Sequence, residues 1–224
     1  MSTTRRPGGS QVLPRPTQWR EVQHSPFDRL DLSALADFSA VRAALADFTP
    51  NPASQQPPAS ANPSAVLVGL FDSAVGPQVL LTRRSEMLSS HRGQIAFPGG
   101  RLEPGETSLQ AALRETHEEI GLNAANAIVL GELAAHRTIS SSSHIVPHVV
   151  DLGAPPSEFH LSDEVERAFT VPLVDLVRPD TFAQEHWVFA DREVMVPMFY
   201  LDDETVWGAT ARMLQELLML TLQR

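Results

Sequence analysis

The stretch from Gly100 to Leu122, GRLEPGETSLQAALRETHEEIGL, constrains the fold more than any other part of the chain. Small or apolar side chains recur there at helical spacing, at Leu109, Ala112, Leu113, Thr116 and Ile120. Thr107 and Gln110 fit a capping box at the start, and Gly121 fits a glycine stop at the end. The stretch therefore predicts an amphipathic helix between Thr107 and Gly121 that follows a glycine-rich turn.

The same stretch carries an unusual concentration of carboxylates. Glu115, Glu118 and Glu119 share one sector of the predicted helix, where they repel one another unless a cation lies among them. Because the chain has no cysteine and these ligands are oxygens, the predicted cation is Mg²⁺ or Mn²⁺. Arg114 can neutralise Glu106 in a bidentate pair. A plain solvated acidic face is disfavoured, since no lysine follows at the i+4 positions.

The spacing of these residues resembles the Nudix box, G-x5-E-x7-R-E-U-x-E-E-x-G-U, a pattern with many fixed positions. Its fixed positions are matched by Gly100, Glu106, Arg114, Glu115, Glu118, Glu119 and Gly121. The chain departs from the pattern at Thr116, where the family has an aliphatic residue or alanine. The resemblance implies an α+β fold, the Nudix α/β/α sandwich with a mixed sheet, and a metal held by Glu115, Glu118, Glu119 and the Gly100 backbone.

A second signature resembles the coenzyme A pyrophosphatase branch of that family. It consists of Leu80-Leu81-Thr82-x-Arg84-Ser85 followed by Gly93-x3-Phe97-Pro98-Gly99-Gly100. Further matches to the branch lie at Thr138-Ile139-Ser140, Val146-Pro147, Asp163-Glu164-Val165 and Trp207 to Ala211. The spacer arginine of the branch is replaced by Ser89, and Arg92 is the candidate substitute.

The resemblance implies hydrolysis of the pyrophosphate of coenzyme A, or of acyl-CoA, to 3′,5′-ADP and 4′-phosphopantetheine. Metal ions assist such chemistry by neutralising phosphate oxygens and activating water. Either Glu115 or Glu164 is the candidate general base. The candidate substrate-binding residues are Arg83, Arg84, Ser85, Arg92, Phe97 and Gly99. Together with Arg101, the arginines of this set are the candidates to hold the 3′-phosphate and the diphosphate.

Two other functions remain open from the sequence. The first is a Nudix pyrophosphatase that acts on another nucleoside diphosphate derivative, such as ADP-ribose or NADH, which the departure at Ser89 permits. The second is a non-catalytic nucleotide-sensing module. The intact Glu115, Glu118 and Glu119 argue against that module, because such proteins usually lose their metal ligands.

The chain divides into an N-terminal part, residues 1–62, and a predicted Nudix domain, residues 63–224. We expect an irregular arm to Leu30, a helix from Asp31 to Phe48 whose apolar stripe docks on the domain or on a second subunit, and a proline-rich linker from Thr49 to Ser64. The predicted strands of the domain are Ala65–Phe71, Gln78–Arg84, Ala127–Leu133 and Ile145–Leu152, with a loop at Ser140–Ser143. A short helix is predicted from Glu164 to Phe169 and continues at Leu173–Val177. A hairpin of His186–Phe189 with Val194–Leu201 and a closing helix at Val206–Leu220 complete the predicted domain.

The composition limits the kinds of binding partner that we expect. A net charge of −10 disfavours nucleic acid, and no apolar run is long enough for a membrane span. The N-terminus lacks the apolar segment of a signal peptide, so a cytoplasmic location is expected. The sequence leaves the oligomeric state open, with a homodimer among the possibilities, and the expected partner is a small nucleotide substrate.

Overall fold

The computed structural model describes residues 4–46, 48–51, 55–56, 58, 60–124, 126–137 and 142–223. The motif Thr138-Ile139-Ser140 lies outside these residues, as do residues 140 and 141 of the predicted serine loop and parts of the predicted linker. Among the described helices, none is long and apolar enough to cross a membrane.

The regular elements alternate without a fixed βα period. The strands are β1 (Gln18–Glu21), β2 (Asn62–Phe71), β3 (Gln78–Arg84), β4 (Ile95–Ala96), β5 (Gly99–Arg101), β6 (Ile128–Glu132), β7 (His136–Arg137), β8 (Ser143–Asp151), β9 (Val165–Pro172), β10 (Phe182–Val188), β11 (Glu193–Tyr200) and β12 (Thr205–Val206). The helices are a 3₁₀ turn (Leu32–Ala36), α1 (Phe38–Ala46), α2 (Ser108–Ile120), α3 (Leu173–Leu176) and α4 (Gly208–Leu222).

The larger sheet runs in the order β4-β3-β2-β8-β6, with β5 on β2, β7 on β8 and β9 on β3. The pair of β2 and β8 is parallel, and the other strand pairs of this sheet are antiparallel. The predicted α+β class with a mixed sheet is therefore confirmed. Strand β3 has the predicted bounds, whereas β2 begins at Asn62, inside the segment predicted as linker.

A second, antiparallel sheet has the order β1-β10-β11-β12. Strand β1 comes from the N-terminal arm and pairs with β10, so the expectation of an irregular arm is wrong for Gln18–Glu21. Phe27 also fixes the arm, because it is 4% exposed and its ring lies 4.8 Å from that of Phe182. The arm is thus built into the sheet that contains the predicted C-terminal hairpin.

The predicted docking helix is present in two pieces. The backbone is extended at Asp37 (φ −114°, ψ 111°), and its side chain accepts from the Ser39 N–H at 2.8 Å, which caps the start of α1. The buried face of these pieces joins the main core, which also holds one face of α4, through Leu35, Phe38, Val41 and Leu45. Leu32 lies apart from this face and is 38% exposed.

Two other boundaries differ from the sequence expectation. Residues 165–172 form a strand, β9, which pairs with β3 from Val165 to Pro172, so the predicted helix from Glu164 to Phe169 is wrong. Pairing with β3 satisfies the backbone of β9, and this tertiary contact overrides the weak local preference. The closing helix starts at Gly208 because Thr205–Val206 pairs with β11.

Candidate active site

Helix α2 forms as its end signals predict. The Thr107 hydroxyl accepts a hydrogen bond from the Gln110 N–H, and the Gln110 side-chain oxygen accepts one from the Thr107 N–H. Gly121 ends the helix with φ 69°. The buried face includes Ala112, Thr116 and Ile120. This face packs against β2, with the buried Glu119 at its edge, and thereby fixes the direction in which the neighbouring glutamates point.

The three helical glutamates occupy different surroundings. Glu119 is 6% exposed, and its Oε2 accepts from the Gly99 N–H at 3.1 Å. Burial raises the pKa of Glu119 to about 7, although the bond from Gly99 and the charge of Arg84 act in the opposite direction. Burial also raises the pKa of Glu115, whereas the Glu118 side chain is 56% exposed. Glu115 and Glu119 are therefore desolvated carboxylates.

Arg114 organises the first turns of this face. Its Nε and Nη2 donate to the two carboxylate oxygens of Glu106 at 2.8 and 3.1 Å, which is the bidentate pair expected from the sequence. Its Nη1 donates to Glu115 at 3.1 Å and to Glu118 at 2.9 Å. Hydrogen bonds from Arg114 and from the Glu103 N–H hold the pKa of Glu106 below its usual value. Arg114 thereby ties the loop before α2 to the glutamate face.

Two glycines bring backbone against these carboxylates. A Cβ on Gly100 would collide with the carboxylate of Glu115. Gly99 has φ 148°, and a Cβ there would collide with the backbone of Ala65 and Val66 on β2. The double glycine thus lets β5 lie between β2 and α2, with its backbone next to Glu115 and Glu119.

The donor chemistry of this site fits a hard divalent ion. Two desolvated carboxylates lie beside a half-buried glycine backbone, and a bound cation would offset the cost of charging them. Within the described ranges, however, no three His, Asp or Glu side chains form a ready metal cluster. Arg114 Nη1 already bonds both Glu115 and Glu118. A metal held by these two side chains would compete with, or share, that arginine.

Arg84 and Glu164 lie at the edge of the same site. Arg84 Nη1 is 3.7 Å from Glu119 Oε1, and its Nη2 is 3.9 Å from Glu164 Oε2. Both separations are longer than a good hydrogen bond, so the guanidinium keeps donors for another partner. The Glu164 side chain is 61% exposed and precedes β9 directly. Both candidate bases, Glu115 and Glu164, thus flank Glu119, and their geometry does not choose between them.

A cavity of about 740 Å³ opens beside this site. Arg84, Phe97, Gly99 and Gly100, all expected at the site, line one part of it. Its other walls were not expected from the sequence, except for Trp207, and they come from β10, β11, α4, the segment at β7 and the N-terminal arm. The principal residues of these walls are Pro14, Arg137, Trp187, Phe189, Arg192, Val194, Val196, Trp207 and Arg212.

Other predicted substrate-binding residues face away from this cavity. Arg83 is held by three carboxylates, with 3.1 Å to Glu86, 3.2 Å to Glu166 and 3.0 Å to Glu204. The buried Ser85 hydroxyl accepts from the Met87 N–H at 3.3 Å. Arg92 and Arg101 are exposed, and neither borders the cavity. The structure brings Arg84, Phe97 and Gly99 to the cavity and leaves Arg83, Ser85 and Arg92 outside its lining.

The chain also resembles known proteins in sequence. Residues 61–192 match the family profile described as NUDIX domain. The Caenorhabditis elegans protein named Nudix hydrolase 3 is 39% identical over 117 residues, or 51% of this chain and 49% of that protein. The Yersinia enterocolitica protein named uncharacterized Nudix hydrolase NudL is 37% identical over 146 residues, or 63% of this chain and 72% of that protein. The chain therefore spans about half of the C. elegans relative and most of the Yersinia one.

Two solved structures also resemble the chain. A C. elegans Ap4A hydrolase superposes with a TM-score of 0.44 at 23% identity, covering 52% of this chain and 85% of that one. A MutT/nudix family protein from Enterococcus faecalis superposes with a TM-score of 0.46 at 16% identity, covering 84% of this chain and 73% of that one.

Proposed function

We propose that this chain, which belongs to the Nudix family, hydrolyses the pyrophosphate bond of coenzyme A or acyl-CoA. Family membership supports hydrolysis of a nucleotide pyrophosphate in general, and Nudix hydrolases generally use divalent metal ions such as Mg²⁺ or Mn²⁺. The observation that carries the proposal is that Glu115 and Glu119 lie against the Gly99-Gly100 backbone and that Arg84 lies near Glu119. Gly99, Gly100 and Arg84 in turn line the adjacent cavity. Cleavage would yield 3′,5′-ADP and 4′-phosphopantetheine.

In this proposal Glu115, Glu118, Glu119 and the Gly100 backbone hold the metal. The metal, when bound, supplies positive charge to the pyrophosphate oxygens and lowers the pKa of bound water. Arg84 contributes a fixed positive charge beside the same oxygens, because its guanidinium keeps unused donors. Arg114 and Glu106 hold the glutamate face in position without contacting the substrate.

The proton of the attacking water needs an acceptor. Glu115 lies against Gly100, at the closed part of the site, and burial raises the pKa of its carboxyl. Glu164 is more exposed and faces Arg84. Either position agrees with attack of the water oxygen on one phosphorus, while the bond from that phosphorus to the bridging oxygen breaks and the bridging oxygen leaves with the other phosphate. We leave the choice to comparison of Glu115→Gln with Glu164→Gln, since loss of the base lowers kcat with little change in KM.

Coenzyme A is the proposed substrate for two reasons. The Leu80 to Gly100 signature resembles that of the coenzyme A pyrophosphatase branch, and Arg84, Phe97 and Gly99 from it border the cavity. The cavity is also wide and lined by aromatic residues and arginines, which suits a bulky substrate with more than one phosphate. ADP-ribose and NADH remain the alternative substrates, and a non-catalytic nucleotide sensor remains a less favoured third possibility. A cytoplasmic location stays a prediction.

The proposal is tested by a substrate panel with Mg²⁺, Mn²⁺ or excess chelator. CoA should be cleaved faster than ADP-ribose and NADH, and the chelator should abolish cleavage. Glu119→Gln should lower kcat by several orders of magnitude, whereas the exposed Glu158→Gln should match the wild type. Full turnover in chelator would contradict the metal assignment, and a preference for ADP-ribose or NADH would move the function to the alternative substrates.

A further inference from the structure

The cavity contains an arginine whose charge is not balanced by a neighbouring carboxylate. Arg212 lies on α4 and borders the cavity. Its Nη2 donates to the Met195 carbonyl at 3.0 Å. No carboxylate of the described residues lies within ion-pair distance of it, whereas Arg84 faces Glu119 and Glu164, and Arg192 has Asp191 at 3.2 Å.

Arg212 lies at the edge of an apolar recess. The residue as a whole is exposed, but it borders walls that include Trp187, Phe189 and Val194. Partial desolvation lowers the pKa of Arg212. A cation without a counterion at this edge favours an anion in the recess, because the anion supplies the missing charge partner and accepts hydrogen bonds from the guanidinium.

Arg212 is also separated from the proposed reaction centre by its place in the fold. Arg84 projects from β3 in the larger sheet, beside Glu119. Arg212 projects from α4, and its hydrogen-bond acceptor Met195 lies on β11 in the second sheet. Two arginines on different elements of one cavity suit a substrate that carries two separate anionic groups, with the pyrophosphate beside Arg84 and another anion at Arg212.

We propose that Arg212 is a specificity-determining residue that binds a second phosphate of the substrate, remote from the pyrophosphate that is cleaved. This rests on the proposed function only in requiring that the substrate is a nucleotide pyrophosphate. In CoA the second phosphate is the adenosine 3′-phosphate. The sequence offers Arg83, Arg84, Arg92 and Arg101 for this phosphate and for the diphosphate. The inference gives the remote phosphate to Arg212, because Arg83 is occupied by three glutamates and because Arg92 and Arg101 lie outside the cavity lining.

Substrate pairs that differ in one remote phosphate test this role. We would measure kcat/KM of wild type and Arg212→Gln for CoA against dephospho-CoA, and for NADPH against NADH. The variant should lose about tenfold to hundredfold on the phosphate-bearing member of a cleaved pair and change little on the other. Arg212→Lys should recover part of the loss, since it keeps the charge but not the planar fork. Arg20→Gln, an exposed change on β1, is the matched control.

An equal loss on both members of a cleaved pair would overturn the inference. Failure of the proposed function has a different signature, namely absence of CoA cleavage by the wild type. In that case calorimetry with adenosine 3′,5′-bisphosphate and AMP still decides the role of Arg212. The inference is supported if the wild type binds the bisphosphate more tightly than AMP and Arg212→Gln loses this difference. It is refuted if the wild type binds the two ligands with equal affinity. Thermal unfolding of each variant reports whether the fold is intact.

Discussion

Replacing Arg15 by methionine should destabilise the protein far more than an ordinary arm mutation. Arg15 donates to both oxygens of Glu185, from Nη2 at 2.7 Å and from Nε at 2.9 Å. Glu185 is 1% exposed and also accepts from Trp187 Nε1 at 2.7 Å. Burial alone would raise the pKa of Glu185, but the bonds from Arg15 and Trp187 outweigh it and hold the pKa below its usual value.

The expected loss of unfolding free energy follows from the unpaired carboxylate that Arg15→Met leaves in the interior. Methionine fills similar volume but leaves the Glu185 carboxylate buried without its cation. Breaking a buried pair in this way costs about 3–5 kcal/mol, whereas loss of an exposed pair costs about 0–1 kcal/mol. For a chain of this length that corresponds to a fall in Tm of roughly 6–20 °C.

Urea and thermal unfolding at pH 7 would measure this loss. Arg5→Met is the matched control, because Arg5 pairs with Glu21, whose side chain is 49% exposed. Adding Glu185→Gln to Arg15→Met should recover part of the stability, since it removes the stranded charge. A loss below about 1 kcal/mol for Arg15→Met, equal to that of the control, would refute the reasoning.

Two further predictions concern the N-terminal helix and a buried histidine. Leu45→Ala should lower the free energy of unfolding in urea by about 2–5 kcal/mol, because Leu45 is 2% exposed in the main core. Leu32→Ala, at an exposed position, should change it little. Similarly small losses for both variants would contradict docking of the helix. Burial lowers the pKa of His148, whose ring is hydrogen-bonded to Ser108 Oγ. Below about pH 6.5 the imidazole of His148 is therefore protonated more readily in the unfolded chain than in the folded chain, and the free energy of unfolding decreases as the pH falls. His148→Asn should flatten that slope between pH 7.5 and 5.5, and an unchanged slope would contradict it.

Local signals in the sequence were sufficient for the helix that carries the glutamates. Its cap, its stop at Gly121 and its pair of Arg114 with Glu106 all depend on residues close together in the chain. The strand β9 was missed because its residues suit either helix or strand, and only pairing with β3 decides between them.

The far walls of the cavity could not be derived from local pattern. Trp187 lies on β10, Arg192 lies in the turn before β11, and Arg212 lies on α4, so the cavity brings together residues of a hairpin and of a helix. One signal was available, since Trp207 to Ala211 matched the coenzyme A pyrophosphatase branch and Arg212 follows it directly. The sequence favoured Arg83 as a substrate-binding residue because its ion pairs could not be foreseen. Two of its partners, Glu166 and Glu204, are distant in the sequence, and the third, Glu86, is an exposed neighbour.

The pairing of β1 with β10 has a consequence for the order in which the chain matures. Pro14 and β1 leave the ribosome well before β10, which follows β1 by about 160 residues, and before Arg212. At typical elongation rates the arm waits roughly 8–33 s for its partner strand. All four residues of β1 are exposed even after pairing, and most are polar, so the waiting strand has little apolar surface with which to aggregate. The complete cavity, and with it the proposed activity, should appear only after translation of α4.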